Sequence, residues 1–342
     1  MMMIKTFVAI ALSFCFFILK GQEKLYYVMS ADSTKVGVRD EKGTIVIPLL
    51  YPVYQDYDLN TPIEEPLIEF IGVMEQEDYD KDSPAFAVAT VYNRKGQLLY
   101  YPQFFDNGSD YWSEGLRRYV EKGKIGFVDF LGNRITAANW GFAVPFNYGY
   151  ATVYEGKMKK QYEAGGEHWT VIPADEHVKE YLINKNGVRV EPLKTKQHAK
   201  DYRYDGEYYP NPFQYNKEEQ AILNRLSRYE TAITLLFKLS SYQYEYEPLQ
   251  LEIVEKPNHS LPYYVIEAYD DQRRLDDYEI LFDEKTDNFF ISRWSSRTEL
   301  VPLDEMLMSS IQDDLQRDPD YIKPETRKLA EEEWLKLKAT PK

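Results

Sequence analysis

The chain has a single cysteine, Cys15, and four histidines among 342 residues. One cysteine excludes an internal disulfide framework and a thiolate metal site. The histidines, His168, His177, His198 and His259, include no pair one helical turn apart, so no His-Glu-x-x-His zinc site is present. No Gly-x-Ser-x-Gly elbow occurs, and Gly165-Gly166 is not followed by the Lys-Ser or Lys-Thr of a phosphate-cradling loop. Basic residues are the minority, 41 Lys and Arg against 56 Asp and Glu, for a formal charge of −15. That balance excludes nucleic acid and a polybasic grip on anionic lipid, both of which need clustered Lys and Arg. No catalytic residue and no cofactor site is expected.

Long apolar runs are scarce too. The charge-free stretch at 7–19, after Lys5, falls short of the about 20 residues a helix needs to span a bilayer. It fits the apolar core of a secretory signal peptide over 1–21, with cleavage after Leu19-Lys20-Gly21. Phe14 before Cys15 and the apolar 16–19 after it argue against a lipidated cysteine. Cleavage would leave a chain with neither a cysteine nor a transmembrane span. The expected location is therefore periplasmic or extracellular.

What is abundant is β pattern. Over 36–47, 88–99, 125–135 and 181–190, a β-rich run leads to Asp or Asn, two residues, Gly and a further apolar run. The turns are Asp40 to Gly43, Asn93 to Gly96, Asp129 to Gly132 and Asn184 to Gly187. The first side chain bonds forward to the backbone, and the glycine supplies the left-handed residue that closes the hairpin. A second element, Trp112-Ser113-Glu114-Gly115-Leu116, recurs as Phe146-Asn147-Tyr148-Gly149-Tyr150. With insertions near 60–83 and 157–178, the unit is about 35 residues.

Over 24–195 these motifs resemble the WG-repeat family, whose unit combines Trp-Gly, an Asp/Asn-x-x-Gly turn and Phe-Ser-Glu-Gly-Leu. Lys124 to Gly132, Trp112 to Leu116 and Ile47-Pro48 carry the likeness, while Val36 and Ile125 stand at the signature Trp. The resemblance implies an all-β repeat array in which each unit buries its apolar face against a neighbour. Tyr111, Trp112, Trp140 and Phe146 fall at repeat positions and are expected in the core.

Residues 201–215, rich in Tyr and Pro, read as a linker or a long ordered loop. Beyond it Asn216 reads as a helix N-cap with Glu219 three residues on, and Ile222, Leu226, Tyr229, Ile233 and Leu236 follow at helical spacing. Strands are expected at 249–254, 263–269, 278–282 and 288–294, and helices at 303–315 and 324–337. The expected fold is mainly β: an N-terminal array of β-hairpin repeats over 22–200, the linker at 201–215, and a smaller α+β domain over 216–342.

Two groups of residues are candidates for binding. Asp78, Asp80 and Asp82 alternate as in a Ca²⁺ loop, but Ser83 and Ala89 stand where an EF-hand needs Gly and Glu. Tyr202, Tyr204, Tyr208, Tyr209 and Tyr215 are the densest cluster among 30 tyrosines. Tyr joins an apolar face to a polar tip, which suits a contact surface as well as cross-strand packing. The expected function is an exported scaffold that binds an envelope or extracellular protein without catalysis. The alternatives are a hydrolase sited in the C-terminal domain or at the domain junction, and a glycan-binding module built on the tyrosine cluster.

Overall fold

A computed structural model describes residues 24–72, 82–105, 108–166, 168–239, 247–258, 261–293, 297, 299–317 and 322–339. The signal region 1–21, Asp78, Asp80, His259 and Trp294 lie outside the described residues. The chain forms two compact units, Met1–Ile63 and Glu64–Lys342.

The first unit is an antiparallel meander of Leu25–Met29, Lys35–Asp40 and Ile45–Pro52. Leu25, Val36, Val38, Ile47, Tyr51 and Ile63 make its core. The second unit repeats that meander. Leu67–Ile71, Ala89–Asn93 and Leu98–Pro102 form one copy. Leu116–Glu121 and Lys124–Asp129 open the next, and Tyr150–Glu155, Lys179–Asn184 and Arg189–Val190 form the last. Copies join edge to edge: Tyr101 and Pro102 pair with Val120 and Tyr119, which makes one five-stranded antiparallel sheet. Ile125, Phe127, Trp140, Phe146, Val153 and Ile183 fill a core shared by the last two copies.

The four predicted turns have one geometry. Asp40 Oδ1 accepts from the amides of Lys42 and Thr44, Asn93 Oδ1 from Lys95 and Gln97, Asp129 Oδ1 from Leu131 and Asn133, and Asn184 Oδ1 from Asn186 and Val188, all at 2.7–3.1 Å. Each turn glycine has φ between 73° and 86° and donates to the carbonyl of its Asp or Asn. This is a three-residue hairpin loop closed by a left-handed glycine.

The uneven glycine spacing has a single cause. The link between a copy's first and second strands is short at 30–34 and 122–123, and long at 72–88 and 156–178. The first insertion thus starts after the strand Leu67–Ile71, later than the expected residue 60, because 67–71 pairs with 89–93. The second folds as its own hairpin, Met158–Tyr162 with Trp169–Pro173. The two insertions touch: the Lys160 amide donates to the Asp82 carbonyl at 2.9 Å, and Lys160 Nζ lies 3.8 Å above the Phe86 ring.

Trp140 and Phe146 are buried as expected and Trp112 is half-buried, but Tyr111 is 63% exposed. It lies between Asp110, which turns inward to Arg118, and Trp112, which packs on Phe130.

The C-terminal part is α+β. Helix α1 (Lys217–Leu226) begins at Asn216 with a capping box to Glu219. The stripe expected to form one helix breaks at Ser227–Tyr229, and α2 (Glu230–Lys238) carries on the apolar face with Ile233 and Leu236 buried. Gln250–Glu255, Tyr263–Asp270, Arg273–Asp283, Asn288–Arg293 and Val301–Pro302 form an antiparallel sheet in chain order. Helices α3 (Leu303–Leu315) and α4 (Pro324–Ala339) pack with α2 over a core that includes Leu226, Ile266, Ile280 and Leu307. Among the described residues no helix is long and apolar enough to cross a membrane.

Residues 201–215 are not a free spacer. They hold a short hairpin, Tyr202–Tyr204 with Glu207–Tyr209, bonded to both neighbouring parts. The division between the chain's two compact units falls after Ile63.

Candidate functional site

Three two-residue turns meet where the repeats adjoin the α+β part. Glu114-Gly115, Tyr148-Gly149 and Asp271-Gln272 each hold both residues at positive φ, from 44° to 77°. In the first two, Ser113 with Leu116 and Asn147 with Tyr150 exchange both backbone hydrogen bonds. Four of these six residues carry a Cβ, so surrounding contacts must hold them in a strained region.

Those contacts are polar and buried. Glu114 is fully buried, and both its carboxylate oxygens accept from the Gly149 amide, at 2.9 and 3.0 Å. The Tyr269 hydroxyl donates to the same carboxylate at 2.6 Å, and burial with Glu114 beside it drives that phenol well above its ordinary pKa. The Glu114 amide donates to Glu267, whose other oxygen accepts from Arg274. Asn147 donates to the Gln272 carbonyl at 2.9 Å and accepts from the Arg274 amide at 2.8 Å. Gln272 accepts from the Arg203 amide and donates to the Asp201 carbonyl, both at 2.9 Å. Arg297 bridges Glu255 and Glu279 while stacking on Phe130, 4.4 Å from the ring centre. The glycines fit this packing closely. A Cβ on Gly115 would lie 2.2 Å from the Glu255 carboxyl carbon, and one on Gly149 would lie 2.6 Å from Pro212.

Glu252, Glu267 and Glu279 are buried along with Glu114. Burial raises the Glu267 carboxyl to about 7, with Glu279 and Glu114 adding to the rise and Arg274 opposing it. A carboxyl poised near neutrality is a feature of acid–base sites. Here the group has no exposed surface and is bonded to Arg274 and to the Glu114 amide. The cluster ties the two parts together through buried hydrogen bonds and ion pairs, a polar lock.

The candidate tyrosines belong to the same joint. Tyr202 stacks on Tyr148 and Tyr150 at 5.6 and 5.5 Å, and on Tyr204 at 6.4 Å. Tyr204 donates to Glu180 at 2.6 Å, and Tyr209 is buried against Tyr150. Tyr208 is half-buried, with Lys196 Nζ 5.7 Å from its ring centre. Tyr215 donates to Glu252 and accepts from the Ile253 amide at 3.0 Å. The five side chains are half-buried or buried, so they form no exposed aromatic row. Asp82, the one described member of the Ca²⁺ candidate, contributes its carbonyl to Lys160. No group of three or more His, Cys, Asp or Glu among the described residues is arranged to hold a metal ion.

Two cavities stand out among the described residues. One of about 510 Å³ lies beside the joint and is lined without Asp, Glu, His, Ser, Thr or Cys. The other, about 550 Å³, lies under α3 and α4 and includes Asp287, Asp304 and Trp334. The Asp287 carboxylate is held by Arg225.

The sequence motifs did not point to Glu114, Glu267, Tyr269, Gln272 and Arg274 as a group. The one local signal was the Ser-Glu-Gly-Leu element, whose glutamate is the centre of the lock.

No family model matches the chain, and no curated protein matches it. Among solved structures, a crystal structure of a eukaryotic initiation factor has 11% sequence identity and a TM-score of 0.14, with 82% of this chain and 51% of that chain covered. The chain thus spans about half the length of that protein, and a likeness at this score carries no argument.

Proposed function

We propose that the chain is an exported, WG-like repeat protein whose hairpin array binds an envelope or extracellular protein and performs no catalysis. One observation carries this reading. Within three residues of each turn glycine stands a large apolar side chain left open to solvent: Ile45, Leu98, Ile135 and Val188, 38–57% exposed. Single exposed apolar residues are ordinary on any surface. Their recurrence within three residues of the same turn in four copies supports an exposed apolar contact point on each copy. The junction cavity is lined without Asp, Glu, His, Ser, Thr or Cys, so its lining holds no Ser-His-Asp set and no carboxylate pair.

The test is cross-linked capture from envelope extract with the full chain and with the Ile45→Ser, Leu98→Ser, Ile135→Ser, Val188→Ser variant. A stoichiometric protein retained by the parent and lost from the variant supports the reading. Equal capture by both, or capture by neither, overturns it.

A further inference from the structure

The cavity beside the joint has a makeup at odds with the rest of the chain. Its floor is Gly149 and Tyr150, and its walls come from the fourth hairpin turn, residues 210–215 and the end of the strand Gln250–Glu255. In a chain of charge −15 it presents two lysines, Lys185 and Lys256, and no carboxylate. Lys185 Nζ donates one hydrogen bond to the Val254 carbonyl at 2.7 Å and keeps two N–H groups for another partner. Lys256 is neutralised by Glu219 at 2.7 Å. The side-chain amides of Asn186 and Gln214 are exposed and make no hydrogen bond within the described protein. Pro212 and the half-buried Tyr215 add apolar faces.

The geometry points to a binding site for an acidic sugar, a uronic acid carried singly or in a short glycan, in this groove. The volume lies within the range of about 300–1,000 Å³ found for small-molecule sites. Free amides, which both donate and accept, match vicinal hydroxyls. The proline and tyrosine faces match the C–H face of a pyranose ring. Lys185, the one lining lysine with no carboxylate partner among the described residues, matches a single carboxylate through a charge-assisted bond. A phosphate would call for converging backbone amides or arginines, and the lining has no arginine. A purely apolar ligand would leave the two amides and Lys185 without a role. The site does not depend on the scaffold reading, because it lies on the joint and not on the apolar residues of the turns.

The experiment is a calorimetric titration of the full chain with digalacturonate, and with its neutral counterpart galactobiose, at low and physiological salt. Three variants are compared with the parent. Lys185→Gln removes the charge and keeps a donor for the Val254 carbonyl, while Asn186→Ala and Gln214→Ala remove amides that bond nothing in the protein. The expected result is digalacturonate binding at least about tenfold tighter than galactobiose, with about a tenfold loss in Lys185→Gln, the worth of one charge-assisted hydrogen bond. Each amide variant should weaken both ligands by about threefold or more, as for one neutral hydrogen bond. No heat with digalacturonate at millimolar concentration, equal affinity for the two sugars, or binding untouched by the three variants would each overturn the assignment. Circular dichroism of the variants separates loss of binding from loss of fold.

Discussion

Removal of the Glu114 side chain should loosen the joint more than any surface change of equal size. Glu114→Ala leaves the Gly149 amide and the Tyr269 hydroxyl without acceptors in a site that water does not reach. Each stranded donor costs about 1–3 kcal/mol, so together with the missing methylenes the expected loss is about 3–5 kcal/mol. That is a large fraction of the about 5–15 kcal/mol that holds a domain folded. Because Glu114 and Tyr269 belong to different parts, the loss should also split unfolding in urea into two steps. The measurement is urea denaturation followed by far-ultraviolet circular dichroism and by tyrosine and tryptophan fluorescence. Glu114→Gln keeps one acceptor oxygen and should fall between parent and Ala variant. Glu121→Ala, which removes an exposed pair with Arg134, should cost no more than about 1 kcal/mol. A Glu114→Ala midpoint indistinguishable from that of Glu121→Ala would refute the idea that the buried carboxylate holds the parts together.

Three other outcomes are expected. Because burial raises the Glu267 carboxyl from its ordinary 4.5 to about 7, the folded chain holds a proton that the unfolded chain has lost between those values. Stability should therefore fall as pH rises through that window, and Glu267→Gln should flatten the slope in urea melts at pH 5 and pH 8. Gly126→Ala places a Cβ 2.9 Å from the Ala137 carbonyl and 2.5 Å from the Tyr119 ring, so thermal melts should show a loss of about 1–3 kcal/mol. Asn93→Ala removes the acceptor for the Lys95 and Gln97 amides and should cost about 1 kcal/mol in the same assay, a turn effect with no change in fold.

The parts of the fold that were legible in sequence are those whose cause is local. An Asp or Asn that bonds two and four residues ahead, with a glycine between, fixes its turn within five residues, so all four hairpins were visible. The capping box at Asn216 and Glu219 is local in the same way. Gly37 and Gly126, three residues before their turn aspartates, were part of the recurring pattern, but their reason appears only in three dimensions. A Cβ on Gly37 would meet the Ile47 carbonyl at 2.5 Å, so the returning strand crosses too close for any side chain. In the other two copies Thr90 and Tyr181 hold the position.

The lock was illegible for the opposite reason. Glu114 and Tyr269 are 155 residues apart, and Asn147 and Gln272 are 125 apart. No spacing rule reaches across that distance. Composition left 201–215 open between a linker and a long ordered loop, and the structure shows an ordered segment. The rings stack on Tyr148 and Tyr150, and Gln272 bonds the backbone on both sides of Tyr202. The helical stripe through Tyr229 gave no sign of the break at 227–229, since a short 3₁₀ turn keeps the apolar residues near the same face.

The two long insertions share one address, the link between the first and second strands of a copy. The array has thus accepted added chain twice at the same port and kept its hairpins. The third copy leaves that port nearly bare, with Lys122 and Gly123 alone between Glu121 and Lys124. It is the natural graft point for a reporter, an affinity tag or a fluorophore-bearing loop. Cargo placed there would sit on the outer end of a strand pair already anchored on both flanks.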